Sequence, residues 1–197
     1  MARGSVALIS CVALLALLAG CAGAPPQTGT SLPQDLQELQ YWHARGRLGV
    51  SGGEQGGSGS FAWEQLRDRA DVQIRGPIGI GSVRLQMSGS PQSPHVKLET
   101  ADGQVFEANT AWQELESRLG AAVPAGKLRY WMLGVPAPGE HQWLEERSDQ
   151  AAVLEQDGWR IEYRYSDELS ARLPSRIHAT SGDARVRILI DRWSFDR

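Results

Sequence analysis

The strongest constraint on the fold is a series of short segments in which apolar and polar residues alternate. Alternation with a period of two is typical of strands that bury one face of a sheet. Gly-rich, Asp-Arg and Asp-Gly joints separate the earlier segments, which favours antiparallel hairpins. The predicted strands centre on residues 48 to 50, 61 to 63, 72 to 74, 83 to 87, 96 to 98, 142 to 144, 151 to 156, 159 to 165, 176 to 179 and 186 to 193.

Helical spacing predicts three short helices between or before these strands. They are expected from Leu36 to Trp42 or His43, from Ala111 to Leu119 with Thr110 as N-cap, and from about Gly126 to Leu133. The glycine-rich stretch from Gly52 to Gly57 is interpreted as a mobile loop.

The fold class predicted from these elements is α+β. A sheet of roughly ten to eleven strands must curl, close or be covered, because its apolar face cannot stay in water. The helices are few and short, so we expect them to cover a curved sheet. A curled sheet under a helical lid encloses an apolar cavity.

The first residues have the features of an export signal. Arg3 precedes an apolar run from Val6 to Leu18, and small residues lead to Cys21. The run is shorter than the roughly 20 residues that cross a bilayer as a helix. We therefore expect residues 1–20 to be cleaved and Cys21 to be lipidated.

Domain organisation follows from that cleavage. Residues 21–33 form the lipidated end and a flexible tether, and residues 34–197 form a single domain. A tether of about 12 residues has a reach of roughly 20 Å, which keeps the domain close to the bilayer. Ala22 follows the lipidated cysteine where Asp would retain a lipoprotein in the inner membrane, which indicates the outer membrane.

Composition and motifs argue against several classes of function. Loss of Arg3 takes the formal net charge from −3 to about −4, and the basic residues are scattered along the sequence, so no nucleic-acid partner is expected. No hydrolase, metalloprotease or phosphate-binding motif is present, and the four histidines have no partner at metal-ligand spacing. We expect neither enzymatic activity, nor a metal, nor a cofactor.

Seven tryptophans are many for a domain of this size. Trp42, Trp159 and Trp193 are interpreted as core residues. Trp63, Trp112 and Trp131 fall where sheet and helices would face each other, so both core packing and cavity lining remain open for them.

The segment from Gly76 to Gly81 is unusual because hairpin tips are normally polar. Ile78 and Ile80 lie there on a backbone of Gly and Pro. Two alternatives remain open: a bulged hairpin whose isoleucines fold back onto the sheet, or a loop that presents Ile78 to the outside.

Several pieces of this sequence, in order, resemble the LolB family of outer-membrane lipoprotein receptors. They are Leu18-Ala19-Gly20-Cys21, the stretch from Trp42 to Leu48, Phe61-Ala62-Trp63, Gly76-Pro77-Ile78-Gly79, Pro124 with the stretch from Leu128 to Gly134, the stretch from Gln156 to Tyr163, Leu173-Pro174 with Arg176, and the terminal stretch to Trp193. Each motif is weak, and together they cover nearly the whole mature chain.

The resemblance implies an unclosed antiparallel β-barrel with a helical lid over an apolar cavity. It also implies that the loop Pro77, Ile78, Gly79 and Ile80 inserts into the membrane, with Ile78 where the family usually has Leu. The expected partners are a LolA-type periplasmic carrier, acylated lipoprotein cargo and outer-membrane lipid, with the chain itself a monomer. The acyl-chain cavity is predicted to be lined by Trp63, Val72, Ile74, Leu85, Met87, Trp112, Leu115, Leu128, Trp131 and Met132.

Two other functions remain open on sequence alone. A lipoprotein carrying another amphiphile, such as a phospholipid or glycolipid, would have the same kind of cavity. An assembly lipoprotein that scaffolds an outer-membrane complex would have no cavity and a stable partner.

Overall fold

The computed structural model describes residues 32, 34–52, 55–76, 81–90, 93–119, 124–148, 150–166 and 172–195. It contains two α-helices, α1 (Ala108–Leu119) and α2 (Ala125–Met132). Its strands are β1 (Tyr41–Gly52), β2 (Gln55–Leu66), β3 (Arg69–Arg75), β4 (Ser82–Ser90), β5 (Ser93–Thr100), β6 (Val105–Glu107), β7 (Gln142–Glu145), β8 (Ala151–Gln156), β9 (Trp159–Tyr165), β10 (Pro174–Ser181) and β11 (Ala184–Ser194).

All eleven described strands form one antiparallel sheet, in the order β6-β5-β4-β3-β2-β1-β11-β10-β9-β8-β7. Every neighbouring pair is consecutive in sequence except β1 and β11, which meet in the middle of the sheet. The two edges, β6 and β7, are not paired with each other, and both helices lie between them in the chain. The prediction of an unclosed antiparallel barrel with a helical cover is confirmed.

The alternation seen in the sequence is the burial pattern of the sheet. In β3, Ala70, Val72 and Ile74 are buried, and in β4 the same holds for Val83 and Leu85, while the residues between them face outward. One core cluster extends from Leu36 to Ile190 and takes side chains from both helices. The burial of one continuous apolar face therefore holds the sheet and the helices together.

The pairing of β1 with β11 contains a bulge. Arg45 pairs with Arg192 and Gly46 with Ile190, so Asp191 is an extra residue on β11. A β-carbon on Gly46 would overlap the carbonyl oxygen of Leu189 and lie 3.0 Å from the α-carbon of Ile190. Only a residue without a side chain fits there.

The helix predicted from Leu36 to Trp42 or His43 is wrong. A single 3-10 turn spans Leu36–Glu38, where the Asp35 carboxylate accepts a hydrogen bond from the backbone of Gln37, and β1 follows from Tyr41. The turn accounts for the three-residue spacing of Leu36 and Leu39, because it buries both side chains. Trp42 instead belongs to the alternation of β1, whose backbone pairs on both sides.

Two smaller predictions also need correction. Helix α1 begins at Ala108 and not at Ala111, so Thr110 lies in its first turn and donates its hydroxyl to the Glu107 carbonyl at 2.6 Å. The predicted mobile loop from Gly52 to Gly57 is largely strand, because Gly56 and Gly57 pair with Ser51 and Val50. A side chain at Gly56 would come within 2.8 Å of the Val50 carbonyl oxygen, so glycine permits this pairing.

Tyr163 gives the fold a dependence on alkaline pH. Burial, and next the neighbouring Tyr165, raise the pKa of Tyr163 well above its ordinary value of 10.0, and its hydroxyl has no hydrogen-bond partner among the described residues. The folded state therefore keeps a proton that the unfolded chain releases above pH 10. Stability is intact below about pH 10 and falls above it, by up to about 1.4 kcal/mol per pH unit.

We expect Tyr163→Phe to reduce this alkaline loss and to change stability little at neutral pH, since no hydrogen bond is removed. Urea unfolding at neutral pH and above pH 10 measures both quantities. Some alkaline loss should remain, because burial also raises the pKa of Tyr165, although the Arg147 guanidinium lowers it in part. An equal loss in the variant and the wild-type chain would contradict the assignment to Tyr163.

Candidate functional site

An apolar cavity of about 80 Å³ lies between the helices and the buried face of the sheet. Its lining comes from five strands and two helices, and every lining side chain is apolar. The lining residues are Leu48, Val50, Phe61, Trp63, Val72, Ile74, Leu85, Trp112, Leu115, Leu128, Met132, Val186 and Ile188.

Strand register builds the wall of this cavity. Phe61 pairs with Ile74, Trp63 pairs with Val72, and Val72 pairs in turn with Leu85 on the next strand. Directly opposite residues of an antiparallel pair share one face of the sheet. The wall is therefore a continuous apolar surface across β2, β3 and β4.

The helices cover the wall with residues spaced one turn apart. Trp112 and Leu115 of α1 are three positions apart, and Leu128 and Met132 of α2 are four apart, so each pair lies on one helix face. Leu115 and Met132 are buried, whereas Trp112 and Leu128 are half-buried.

Trp63 has a fixed orientation. Its indole Nε1 donates to Oε1 of the buried Gln65 at 3.0 Å, and Gln65 donates to the Arg67 carbonyl at 2.9 Å. The ring also stacks on Trp42, with 5.4 Å between ring centroids. Because its only polar atom is satisfied, the tryptophan adds no unpaired donor to the cavity.

Helix α2 is attached to the sheet at three positions along its length. Lys127 forms an ion pair with Asp157, in the turn between β8 and β9. Arg129 donates to the carbonyl oxygens of Arg67 at 3.0 Å and Leu39 at 3.4 Å. These contacts fix the position of α2 relative to the sheet.

The third attachment of α2 is a buried glutamine. Gln156 Oε1 accepts hydrogen bonds from Trp131 Nε1 and from the backbone N–H of Ala137, each at 3.0 Å. Its amide nitrogen donates to the Ala137 carbonyl at 2.8 Å and to the Glu140 carbonyl at 3.3 Å. One side chain on β8 thus holds both α2 and the segment that follows it.

The size of the cavity limits what it can hold in this conformation. Sites for drug-sized ligands have volumes of roughly 300–1,000 Å³, several times the volume found here. A long hydrocarbon chain is therefore larger than the space available in this conformation.

Most of the residues predicted to line the cavity lie around it. Two lie elsewhere: Met87 borders a separate, partly polar pocket near Gln65, and Trp131 points to Gln156 and packs on Trp159, with ring centroids 6.0 Å apart. The predicted lining residues found at the cavity are Trp63, Val72, Ile74, Leu85, Trp112, Leu115, Leu128 and Met132.

The cavity has a second wall, whose residues were not among those predicted from the sequence. Leu48 and Val50 of β1 face it next to Val186 and Ile188 of β11, and Phe61 joins them from β2. All of these residues show the same alternation as the predicted ones. The pairing of β1 with β11, which brings them together, joins segments more than a hundred residues apart.

Two predicted functional segments lie outside the described residues. They are Cys21 and the loop Pro77, Ile78, Gly79 and Ile80. The loop's described flanks are close together, since the backbone N–H of Gly76 donates to the Gly81 carbonyl at 2.9 Å.

Comparison with known proteins identifies the family. A family model described as "Outer membrane lipoprotein LolB" matches residues 40–193, which include every residue that lines the cavity. The chain belongs to the LolB family. This confirms the resemblance stated above, and it makes the protein an outer-membrane lipoprotein.

Individual LolB relatives are similar in sequence to this chain over nearly its full length. The outer-membrane lipoprotein LolB of Stutzerimonas stutzeri is 34% identical over 198 residues, covering 94% of this chain and 93% of the relative. That of Pseudomonas aeruginosa is 35% identical over 191 residues, covering 91% of each. A solved LolA superfamily protein from Nitrosomonas europaea aligns with a TM-score of 0.48 and 8% identity over 81% of this chain and 88% of the other. That likeness is weak, and the fold assignment rests on the strand order.

No helix in the described ranges is long and apolar enough to span a bilayer. In the same part of the chain, no three or more His, Cys, Asp or Glu side chains come together in a way that could hold a metal ion.

Proposed function

We propose that this LolB-family protein accepts acylated lipoproteins from a LolA-type periplasmic carrier, shelters their acyl chains and releases them into the inner leaflet of the outer membrane. The observation that carries the proposal is the cavity with an entirely apolar lining beneath two helices. Such a lining offers nothing to a polar substrate, but it suits a hydrocarbon chain.

The energetics explain why a sheltering protein is needed. Burial of each methylene is worth about 0.8 kcal/mol, so one acyl chain of about 16 carbons carries roughly 12 kcal/mol. Spontaneous transfer through water would therefore be very slow. A receptor must cover the chains and still hold them less tightly than the bilayer does.

The small volume of the cavity fits this requirement. Entry of a chain must separate the helices from the sheet and break contacts of residues such as Leu115 and Met132, which are buried in the structure. That cost lowers the net affinity for the chain and favours release into lipid. Handover from the carrier requires only that this receptor bind the cargo more tightly than the carrier does.

The remaining parts of the proposal concern the membrane. Residues 1–20 are removed, lipidated Cys21 anchors the chain, residues 21–33 form the tether, and residues 34–197 form the receptor domain. Ile78 contacts the bilayer during delivery, where it contributes about 1.5 to 3 kcal/mol, enough for transient docking and too little for an anchor.

A transfer assay tests the proposal through Ile78→Glu. A LolA-type carrier loaded with labelled lipoprotein is mixed with the chain from Ala22 onward and with liposomes. We expect the wild-type chain to accept and deliver the cargo, and the variant to accept it normally but deliver at least about tenfold less, because a carboxylate does not enter lipid.

The matched control is Ile78→Leu, which keeps size and apolarity and should deliver normally. If neither the wild-type chain nor the variants take cargo from the carrier, the receptor function is wrong. If Ile78→Glu delivers as well as wild type, the receptor function stands and the role of Ile78 is wrong.

A further inference from the structure

The outer face of one half of the sheet is strongly basic. It is formed by β9, β10, β11 and β1 and carries eight exposed arginines, Arg45, Arg47, Arg160, Arg164, Arg176, Arg185, Arg187 and Arg192, which we call the arginine face. Two carboxylates lie on the same strands and face, Asp191 at 3.5 Å from Arg47 and Glu162 at 3.1 Å from Arg160. This positive surface belongs to a chain whose formal net charge is −3.

Some of these arginines stand directly opposite one another on neighbouring strands, and their like charges destabilise the sheet. Arg164 stands directly opposite Arg176 across β9 and β10, and Arg45 stands opposite Arg192 across β1 and β11. Like charges in direct cross-strand register destabilise a sheet. None of these four side chains has an ion-pair or hydrogen-bond partner within the described part of the chain. An external anion would relieve the repulsion.

The surface is also shaped to receive small anionic groups. An open depression of about 560 Å³ is bordered by Arg47, Arg164, Arg176 and Arg187, and also by one carboxylate, Glu162. Gly49 and Ser58 pair with each other and also border it. Because Gly49 has no side chain and that of Ser58 is small, the depression stays open beside the guanidinium groups.

The described part of the arginine face carries no large apolar side chain that is fully exposed, and Leu189, opposite Arg47, is half-buried between the arginines. The large apolar side chains that are exposed in the described ranges are Leu66, Val105 and Leu144, and none of them lies on these four strands. Protein interfaces are normally centred on buried aromatic or aliphatic residues. An arginine-rich surface without such a centre is instead typical of binding to charged lipid headgroups.

The start of the domain lies at one end of this face. Arg172 donates to the carbonyl oxygens of Leu32 at 3.5 Å and Gln34 at 2.5 Å. Arg172 is two residues before Pro174, which pairs with Tyr165, and the next pair along is Arg164 with Arg176. The tether therefore joins the domain close to this end of the arginine face.

We propose that the arginine face docks on anionic phospholipid headgroups of the membrane that holds the lipid anchor. The proposal rests on the lipidation of Cys21 proposed above, and not on cargo transfer. Docking through this face directs the opposite side of the sheet, with α1, α2 and the cavity, away from the bilayer. The cavity then faces the compartment from which cargo arrives.

Vesicle binding of the unlipidated chain tests the proposal. The chain from Ala22 onward is suitable because all core residues lie between Leu36 and Ile190. We expect it to bind vesicles of phosphatidylcholine mixed with phosphatidylglycerol, more weakly as salt rises, and not to bind vesicles of phosphatidylcholine alone. The double variant Arg164→Gln/Arg176→Gln should bind about 25-fold more weakly, since each arginine near an anionic surface strengthens binding about fivefold.

The same double variant should melt at the wild-type temperature or higher, because it removes a like-charge pair. A purely structural role for these arginines predicts the opposite. The matched control is Arg69→Gln/Lys97→Gln, which removes the same charge from the outer face of β3 and β5 and should keep most of the binding.

Two results would overturn the proposal. Equal loss of binding in both double variants would mean that net charge alone matters. Unchanged vesicle binding by Arg164→Gln/Arg176→Gln, with loss of cargo handover from the carrier, would mean that the face binds an acidic protein. Vesicle binding needs neither carrier nor cargo, so its outcome is separate from that of the transfer assay.

Discussion

Leu128→Glu is expected to lose most of its capacity to accept acylated cargo while remaining folded. Leu128 lines the cavity from helix α2 and is half-buried, so a carboxylate there can reach water. An acyl chain in the cavity would cover that carboxylate without offering a hydrogen bond. At a cost of about 2 kcal/mol, acceptance falls roughly thirtyfold. Transfer of labelled lipoprotein from the carrier measures the loss.

Leu144→Glu is the matched control for this variant. Leu144 is 41% exposed on β7 and does not line the cavity. The same chemical change there should leave acceptance unchanged. Normal acceptance by Leu128→Glu, at a wild-type melting temperature, would show that the acyl chains bind elsewhere.

Gly46→Val is expected to give the largest loss of stability among exchanges in the sheet, about 3 kcal/mol or more. The new side chain would overlap the carbonyl oxygen of Leu189 and press on Ile190, and both are backbone atoms of the paired strand. The two central strands, β1 and β11, would have to separate at the bulge. The free energy of unfolding, measured in urea, reports the effect.

Gly49→Val provides the comparison three residues along the same strand. No heavy atom lies within 4 Å of the position that its β-carbon would take. We expect its stability to stay within about 0.5 kcal/mol of wild type. Similar losses in both variants would point to the loss of glycine as such, and not to the close approach at Leu189.

The strands that could be predicted are those in which the residues of the strand itself show which side chains are buried. In β3 and β4 each strand buries alternate residues, so the sequence of each strand contains its own evidence. The segment from Leu36 to Trp42 was mispredicted because its three-residue spacing matches a helix. The structure of this segment depends on Trp42, which packs against Trp63 and Trp193 with ring centroids 5.4 Å apart in each case. Both partners are remote from the segment in sequence.

The cavity lining was predictable to the same extent. Val72, Ile74 and Leu85 could be assigned from alternation alone. Trp131 could not, since its role depends on the amide of Gln156, 25 residues away. The arginine face was not visible either, because its charges are scattered along the sequence and meet only when β9, β10, β11 and β1 align.

The meeting of β1 with β11 in the middle of the sheet also has a consequence for the order of assembly. Among the described strands β1 is the first in the chain and β11 the last, so the central seam can form only when both are available. Until then β1 has β2 on one side and an open hydrogen-bonding edge on the other, which can pair with other chains. Contacts this distant in sequence make folding slow. A chain in which β11 has not yet paired with β1 is therefore the form of this protein that most needs protection from aggregation.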